Sequence, residues 1–409
     1  MGDFFQNGDI TTIHRFDTTT IEMLEDGIEQ YAYSRPIALV LPATPVELKG
    51  PALRGIVNQL KEVKYITQVI VTLGRFNESE FAEAREFFSV LPQETKLIWN
   101  DGENIQNLYK LLTDEKISAG IDGKGRSAWL AYGYVLATEK SKVIALHDCD
   151  IVNYSRELLA RLCYPVVNPN LDFEFCKGYY HRITDRMHGR VTRLFVTPFL
   201  RSLKKTIGYN DFLEYLDSFR YPLAGEFSMA ADLARINRIP GDWGLEVGVL
   251  AEVYRNCSMR RICQVDLCET YEHKHQPLSD EDPTTGLTKM SIDIAKSIYK
   301  NLASMGIVFS SECFRTLRAT YQRAGHEFIE KYNHASAING LVFDRHQEMN
   351  AVDAFAKSIA IAGEQFLQDP SGIPFIPNWN RIISAIPDFF SKLIDAVEAD
   401  NGKVSWSDS

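Results

Sequence analysis

The sequence predicts an α/β protein: a mixed, mostly parallel sheet with helices on both faces, followed by a C-terminal extension made of helices alone. Three observations carry this. Short β-branched apolar runs alternate with segments of helical apolar spacing from residue 36 to about 155. Polar or acidic residues stand just after several of those runs, at the strand ends where open parallel sheets gather ligands. Beyond the acidic, proline-bearing stretch "SDEDPTTG" at 279–286, strand patterns cease and long helical periods take over.

The elements follow in order. A polar lead-in, 1–35, contains an amphipathic helix around "TIEMLEDGIEQYAY". "PIALVLPA", Pro36 to Ala43, is the first expected strand, stopped by proline, and "KGPALRGIVNQLKEV" is a helix. "ITQVIVTLG" and "TKLIWN" are further strands with the helix "FNESEFAEAREFFSVL" between them, and "GKGRSAWLAYGYVLATEK" opens a helix ahead of the strand "KVIALHD". That closes a first half at 36–155. A second half, 156–280, mixes strand, loop and helix, with glycines where backbone turns or approaches a ligand. The extension, 287–409, holds four apolar-periodic segments, whose faces predict an intrachain cover or a dimer surface.

Composition narrows the function. The 409 residues carry a net charge of −10 with both signs interspersed, so no broad cationic surface awaits a nucleic acid, although 44 Lys and Arg leave room for a local anion pocket. No segment approaches the length of apolar chain that spans a bilayer, and the start lacks a secretory pattern, which predicts a cytoplasmic protein. The seven cysteines are scattered and odd in number, as expected of reduced thiols; Cys257, Cys263 and Cys268 lack zinc-site spacing.

Several stretches carry chemistry. In "ALHDCDIVN", Asp148 and Asp150 flank Cys149 directly after a strand, and in an extended chain both carboxylates face one side, which suits Mg²⁺ or Mn²⁺ bridging a diphosphate. A bare Asp-x-Asp equally well caps a helix or turns the chain. "DGKGRSAWL" sets Lys124 between glycines at a helix start, where backbone donors and a lysine meet phosphate; a plain turn reads the same way. "HGRVTRLFVTPFL" carries Arg190, Arg193 and Thr192 after Gly189, able to grip an anionic acceptor or simply to face solvent. Glu226 in "YPLAGEFSM" and Glu246 in "DWGLEVGVLAEVY" are carboxylates placed to cap a helix or to hold a sugar hydroxyl. In "YEHKHQPL", His273 is able to reach a metal shared with Asp150.

Taken in order, these motifs, with "ALVLPATPVE" before them and "CKGYYHR" among them, resemble the glucosyl-3-phosphoglycerate synthases and their mannosyl relatives over about residues 35 to 280. The resemblance implies a retaining glycosyltransferase of GT-A architecture. Its Rossmann-like first half would bind a nucleotide diphosphate sugar, and its second half would bind 3-phosphoglycerate. Such an enzyme moves glucose, or mannose, in the first step towards a glucosylglycerate-type compatible solute. Carried over by residue, Pro42, Ala43 and Glu47 would border the nucleoside with Thr72 near it, Lys124 would lie beside the nucleotide site, Asp148 and Cys149 would adjoin the ribose and diphosphate, and Asp150 and His273 would hold Mg²⁺ or Mn²⁺. Glu246 would hold sugar hydroxyls. Leu223, Ala224 and Gly225 would lie beneath the hexose, with a Leu223 backbone carbonyl orienting the acceptor, and Gly189, Arg190, Thr192, Trp243 and Tyr271 would line the acceptor site.

This sequence departs from mycobacterial-type members at Tyr271, His275, Gln276 and Trp243, where they carry Arg, Asn, Arg and Tyr, and at Cys149, where a Ser is usual. Another acceptor, such as glycerate or a lipid phosphate, or a sugar nucleotidyltransferase, is the competing expectation; a homodimer is the expected assembly.

Overall fold

The computed structural model describes residues 4–16, 18–240, 245–272, 286–372 and 374–402. Eight strands form one sheet: β1 (Thr11–Ile13), β2 (Ile37–Ala43), β3 (Ile66–Leu73), β4 (Glu94–Trp99), β5 (Val143–Leu146), β6 (Phe175–Tyr179), β7 (Phe227–Ala230) and β8 (Ile262–Asp266). Their order is β1-β8-β6-β7-β5-β2-β3-β4. Every neighbouring pair is parallel except those made by β7, which runs against both β5 and β6. The expected alternation is therefore present from β2 to β5, and the strands are apolar on both faces, as two-sided burial requires.

The reversed strand positions the site. Leu146 at the end of β5 pairs with Phe227 at the start of β7, and Lys177 of β6 pairs with the same Phe227. The chain leaving β5 and the chain entering β7 thus meet at one edge of the sheet, which brings Asp148 beside Gly225 and Glu226. One strand lies outside the sequence expectation: β1, in the lead-in, adds to the sheet beside β8.

The helical extension covers the first half from within the same chain. The helix Lys124–Thr138 is buried nearly all round because the sheet lies on one side and the extension on the other. Trp379 stacks on Trp129 with ring centroids 4.2 Å apart and planes 13° apart, and a Cβ on Gly133 would come 2.1 Å from the Trp379 ring. Glycine is what lets the indole sit on the helix backbone. The last helix, Phe389–Gly402, closes the edge strand β4: Asn401 accepts from the Leu97 amide at 3.0 Å and donates to its carbonyl at 2.8 Å. A side-chain amide thereby satisfies an edge that would otherwise invite another strand.

Candidate active site

Three side chains from distant parts of the chain converge at the C-terminal edge of β5. Lys124 is the first residue of its helix, Asp148 lies two residues past β5, and Glu246 is the second residue of the helix Leu245–Asn256. The Lys124 ammonium lies 2.5 Å from Asp148 Oδ1 and 3.1 Å from Glu246 Oε1. Burial pulls its pKa down, but the two carboxylates outweigh this and hold it well above the ordinary lysine value. Lys124 is a fixed cation between two anions, each of which carries a further oxygen able to accept from a ligand hydroxyl.

Beneath this cluster runs the segment 221–226. A Cβ on Gly225 would stand 2.4 Å from Asp148 Oδ2, so only glycine lets the backbone pass so close to that carboxylate. The Ala224 carbonyl accepts from Lys177 Nζ at 2.5 Å. Lys177 is fully buried, and burial is the main cause that pushes its pKa down to about 8. Glu226 is buried, with Tyr271 donating to Oε1 at 2.6 Å and Tyr180 to Oε2 at 2.8 Å. Burial and the nearby Asp148 charge raise its pKa against those two donors. Tyr180 and Tyr271 stack at 3.7 Å, so the two phenols form one rigid support. Tyr271, expected in the acceptor site, has its hydroxyl turned onto Glu226.

Asp150 follows on the loop after β5. That loop is stapled to the segment that leads to His273: Val152 donates its amide to the Glu272 carbonyl at 2.8 Å, Asn153 Nδ2 donates to the Thr270 carbonyl at 2.6 Å, and Glu272 donates its amide to Asn153 Oδ1 at 3.0 Å. His273, His275, Gln276 and Trp243 lie outside the described residues. Cys149 is buried in the apolar core, and burial raises its thiol pKa well above the usual value. His147 is buried too, between the Asp148 carbonyl at 2.9 Å and the Tyr154 hydroxyl at 3.1 Å. All described cysteines are free.

The expected nucleoside residues stand at neighbouring strand ends. Pro42 and Ala43 close β2, and Glu47 serves the short helix Pro45–Lys49 by accepting from the Thr44 amide at 2.8 Å in a capping box. Thr72 is buried near the end of β3, where its hydroxyl accepts from Asn100 Nδ2 at 2.8 Å; Tyr109 in turn donates to Asn100 Oδ1 at 2.9 Å.

The expected anion-binding residues form a second cluster. Gly189 has a φ of +71°, a left-handed conformation that glycine adopts at little cost. It leads into a π-helical turn, Val191–Val196, a rare form that often marks functional positions. Arg190 opens that turn, and Thr192 meets the Tyr221 hydroxyl, which also accepts from Arg182 at 3.2 Å. Arg190 and Arg193 both reach Glu348 on the extension. Lys177 and Glu348 join these clusters beyond the residues that the sequence points to. A lysine inside the apolar run of β6 was a visible signal for the first; the second had none.

A mostly parallel sheet with one reversed strand, closed by a helical region and carrying a carboxylate pair at the end of β5, defines a glycosyltransferase of the GT-A fold. Among solved structures, glucosyl-3-phosphoglycerate synthase from Mycobacterium tuberculosis in complex with Mn²⁺, UDP-glucose and phosphoglyceric acid matches 74% of this chain and 89% of its own, with a TM-score of 0.53 and 21% identity. The same enzyme with Mg²⁺ and UDP matches with a TM-score of 0.51 at 20% identity, over 74% of this chain and 89% of its own. No family model matches the sequence. Curated proteins are much nearer: the chain is 49% identical over 401 residues to the glucosyl-3-phosphoglycerate synthase of Persephonella marina, covering 98% of this chain and 99% of that one. It is 42% identical over 407 residues to that of Methanococcoides burtonii, covering 97% and 98%. The chain belongs to the glucosyl-3-phosphoglycerate synthase family.

Proposed function

We propose that this protein transfers glucose from UDP-glucose to the hydroxyl of 3-phosphoglycerate with retention of anomeric configuration, in the first step towards a glucosylglycerate-type solute. The observation that carries the reading is the junction of Lys124 with Asp148 and Glu246 at the end of β5, in a chain nearly half identical to a protein of that name. Glu246 presents a carboxylate to sugar hydroxyls from a helix N-terminus. Lys124 holds one of its oxygens at 3.1 Å and so orients it, which suits a part in positioning rather than covalent attack. The Ala224 carbonyl is tethered by Lys177, which fixes the floor 223–225 on which hexose and acceptor would meet. Arg190, Thr192 and the backbone at Gly189 would receive the acceptor's anionic end.

The residues present fit a divalent cation. Asp150 would supply a hard oxygen ligand, and the hydrogen bonds from 152–153 to 270–272 hold the chain up to Glu272 against the same loop; His273 is proposed as the second ligand. Mg²⁺ and Mn²⁺ take hard oxygen donors and accept few protein ligands, with substrate phosphates and water completing the shell. When bound, the cation supplies Lewis-acid stabilisation of the diphosphate as the glycosidic bond breaks. Lys124 adds a second, permanent positive charge at the same edge.

The proposal includes a cytoplasmic setting and a homodimer. The first fits a chain in which no described helix is long and apolar enough to cross a membrane.

The test is product analysis. Purified protein given UDP-glucose, 3-phosphoglycerate and Mg²⁺ should release UDP and yield an α-linked glucosyl phosphoglycerate by NMR, in preference to products from glycerate or a lipid phosphate. Preference for another acceptor, or pyrophosphate released from UTP and glucose 1-phosphate, would contradict it.

A further inference from the structure

The C-terminal extension reaches the candidate acceptor loop through one buried carboxylate. Glu348 lies in the first turn of the helix Arg345–Gln368, and its side chain is 7% exposed. A carboxylate so placed is costly unless its charge is met. Arg193 meets it with Nη1 to Oε2 at 2.7 Å and Nη2 to Oε1 at 3.2 Å. Arg193 also donates from Nε to the His188 carbonyl at 2.9 Å, and its guanidinium lies 4.9 Å from the centre of the Tyr332 ring. All three of its nitrogens are therefore committed to holding the loop.

Arg190 is held differently. Its Nε donates to Glu348 Oε1 at 3.2 Å and its Nη2 to Gln347 Oε1 at 2.8 Å, while among the described residues Nη1 has no protein acceptor. The two arginines and Glu348 sum to one positive charge. A backbone hydrogen bond ties the same surfaces together, from the Val342 amide to the Asp185 carbonyl at 2.8 Å. This arrangement fixes one edge of the Arg190 guanidinium and leaves Nη1 for an anion, in a pocket that Arg186 and Asp344 also line.

We infer that Glu348 is a positioning residue of the acceptor site: by clamping Arg193 and one edge of Arg190, it fixes the guanidinium that receives the anionic end of a phosphoglycerate-class acceptor. On this account the helical extension completes the acceptor site. The inference rests on the proposed function, which places Arg190 at the acceptor. Without Glu348 the two guanidiniums, three residues apart on one turn, repel each other, and Arg190 must be ordered at the expense of binding.

Steady-state kinetics on the full chain with UDP-glucose, Mg²⁺ and 3-phosphoglycerate test it, using Glu348→Gln, which keeps the shape, and Glu348→Ala. In both variants the KM for phosphoglycerate should rise at least fivefold, more in Glu348→Ala, with kcat and the KM for UDP-glucose within twofold of wild type. An unchanged phosphoglycerate KM in both overturns the inference. A lowered one overturns it as well, because it makes Glu348 a competitor for Arg190. Donor and acceptor constants worsening together assign Glu348 to general stability and also overturn it. Wild-type protein that makes no glucosyl product overturns the proposed function, and this inference falls with it; variants with unchanged kinetics beside an active wild type overturn the inference alone.

Discussion

Lys124 Nζ stands 3.1 Å from Glu246 Oε1, which joins the first turns of two helices that start 121 positions apart in the chain. The same ammonium is 2.5 Å from Asp148 Oδ1, so it is the sole cation in direct contact with both carboxylates among the described residues. Lys124→Met leaves these two anions, with Glu226 near them, without that counter-charge. We expect kcat/KM for UDP-glucose to fall roughly a hundredfold, about 2.7 kcal/mol of lost transition-state stabilisation. Steady-state kinetics with a thermal melt of each protein check this; a variant within threefold of wild type would remove Lys124 from the donor site.

Gly225 sets the clearance above the floor of the site. Because Asp148 is held by Lys124, it cannot swing away freely from a methyl group placed 2.4 Å from its Oδ2. Gly225→Ala should lower kcat/KM at least tenfold with the fold intact by circular dichroism. Full activity would show that the Asp148 position is not critical.

His147 makes stability sensitive to mild acid. Burial pushes its pKa down from 6.5 to about 4, against a smaller upward pull from the hydrogen bond to the Asp148 carbonyl and the Asp148 charge. Between those values the unfolded chain takes up a proton that the folded chain refuses. The contribution is therefore complete above about pH 6.5 and is lost as pH falls towards 4. Going from about pH 7 to about pH 5 should cost on the order of 2 kcal/mol through this residue. Urea unfolding of wild type and His147→Gln at both pH values reads it: the gap between the two pH values should narrow in the variant, and an equal gap would contradict the assignment.

Much of this was legible in the sequence because two-sided burial writes itself as apolar runs: β2, β3 and β5 fall where "PIALVLPA", "ITQVIVTLG" and "KVIALHD" place them. The three-residue β1 was not legible, since its Thr-Thr-Ile is too short and polar to stand out and its place depends on β8. Nor did the sequence show that β7 runs backwards, which is what sets Asp148 against Gly225. Asp148, Lys124 and Glu246 were each singled out, and the structure brings them together. The hydrogen bond between Arg190 and Glu348 spans 158 positions, and a charge on an amphipathic helix gives no sign of its partner. The buried Tyr271 hydroxyl donates to Glu226, a partner 45 positions away that local sequence does not show.

Asp150 is the proposed anchor of the divalent cation on which glucosyl transfer depends. The most direct measurement is UDP release from UDP-glucose and 3-phosphoglycerate across a Mg²⁺ titration, in wild type and Asp150→Ala, with a thermal melt of each. Expected are saturable Mg²⁺ dependence in the wild type and a loss of at least a thousandfold in turnover in a variant that remains folded. Mg²⁺-dependent turnover that survives in Asp150→Ala would contradict it.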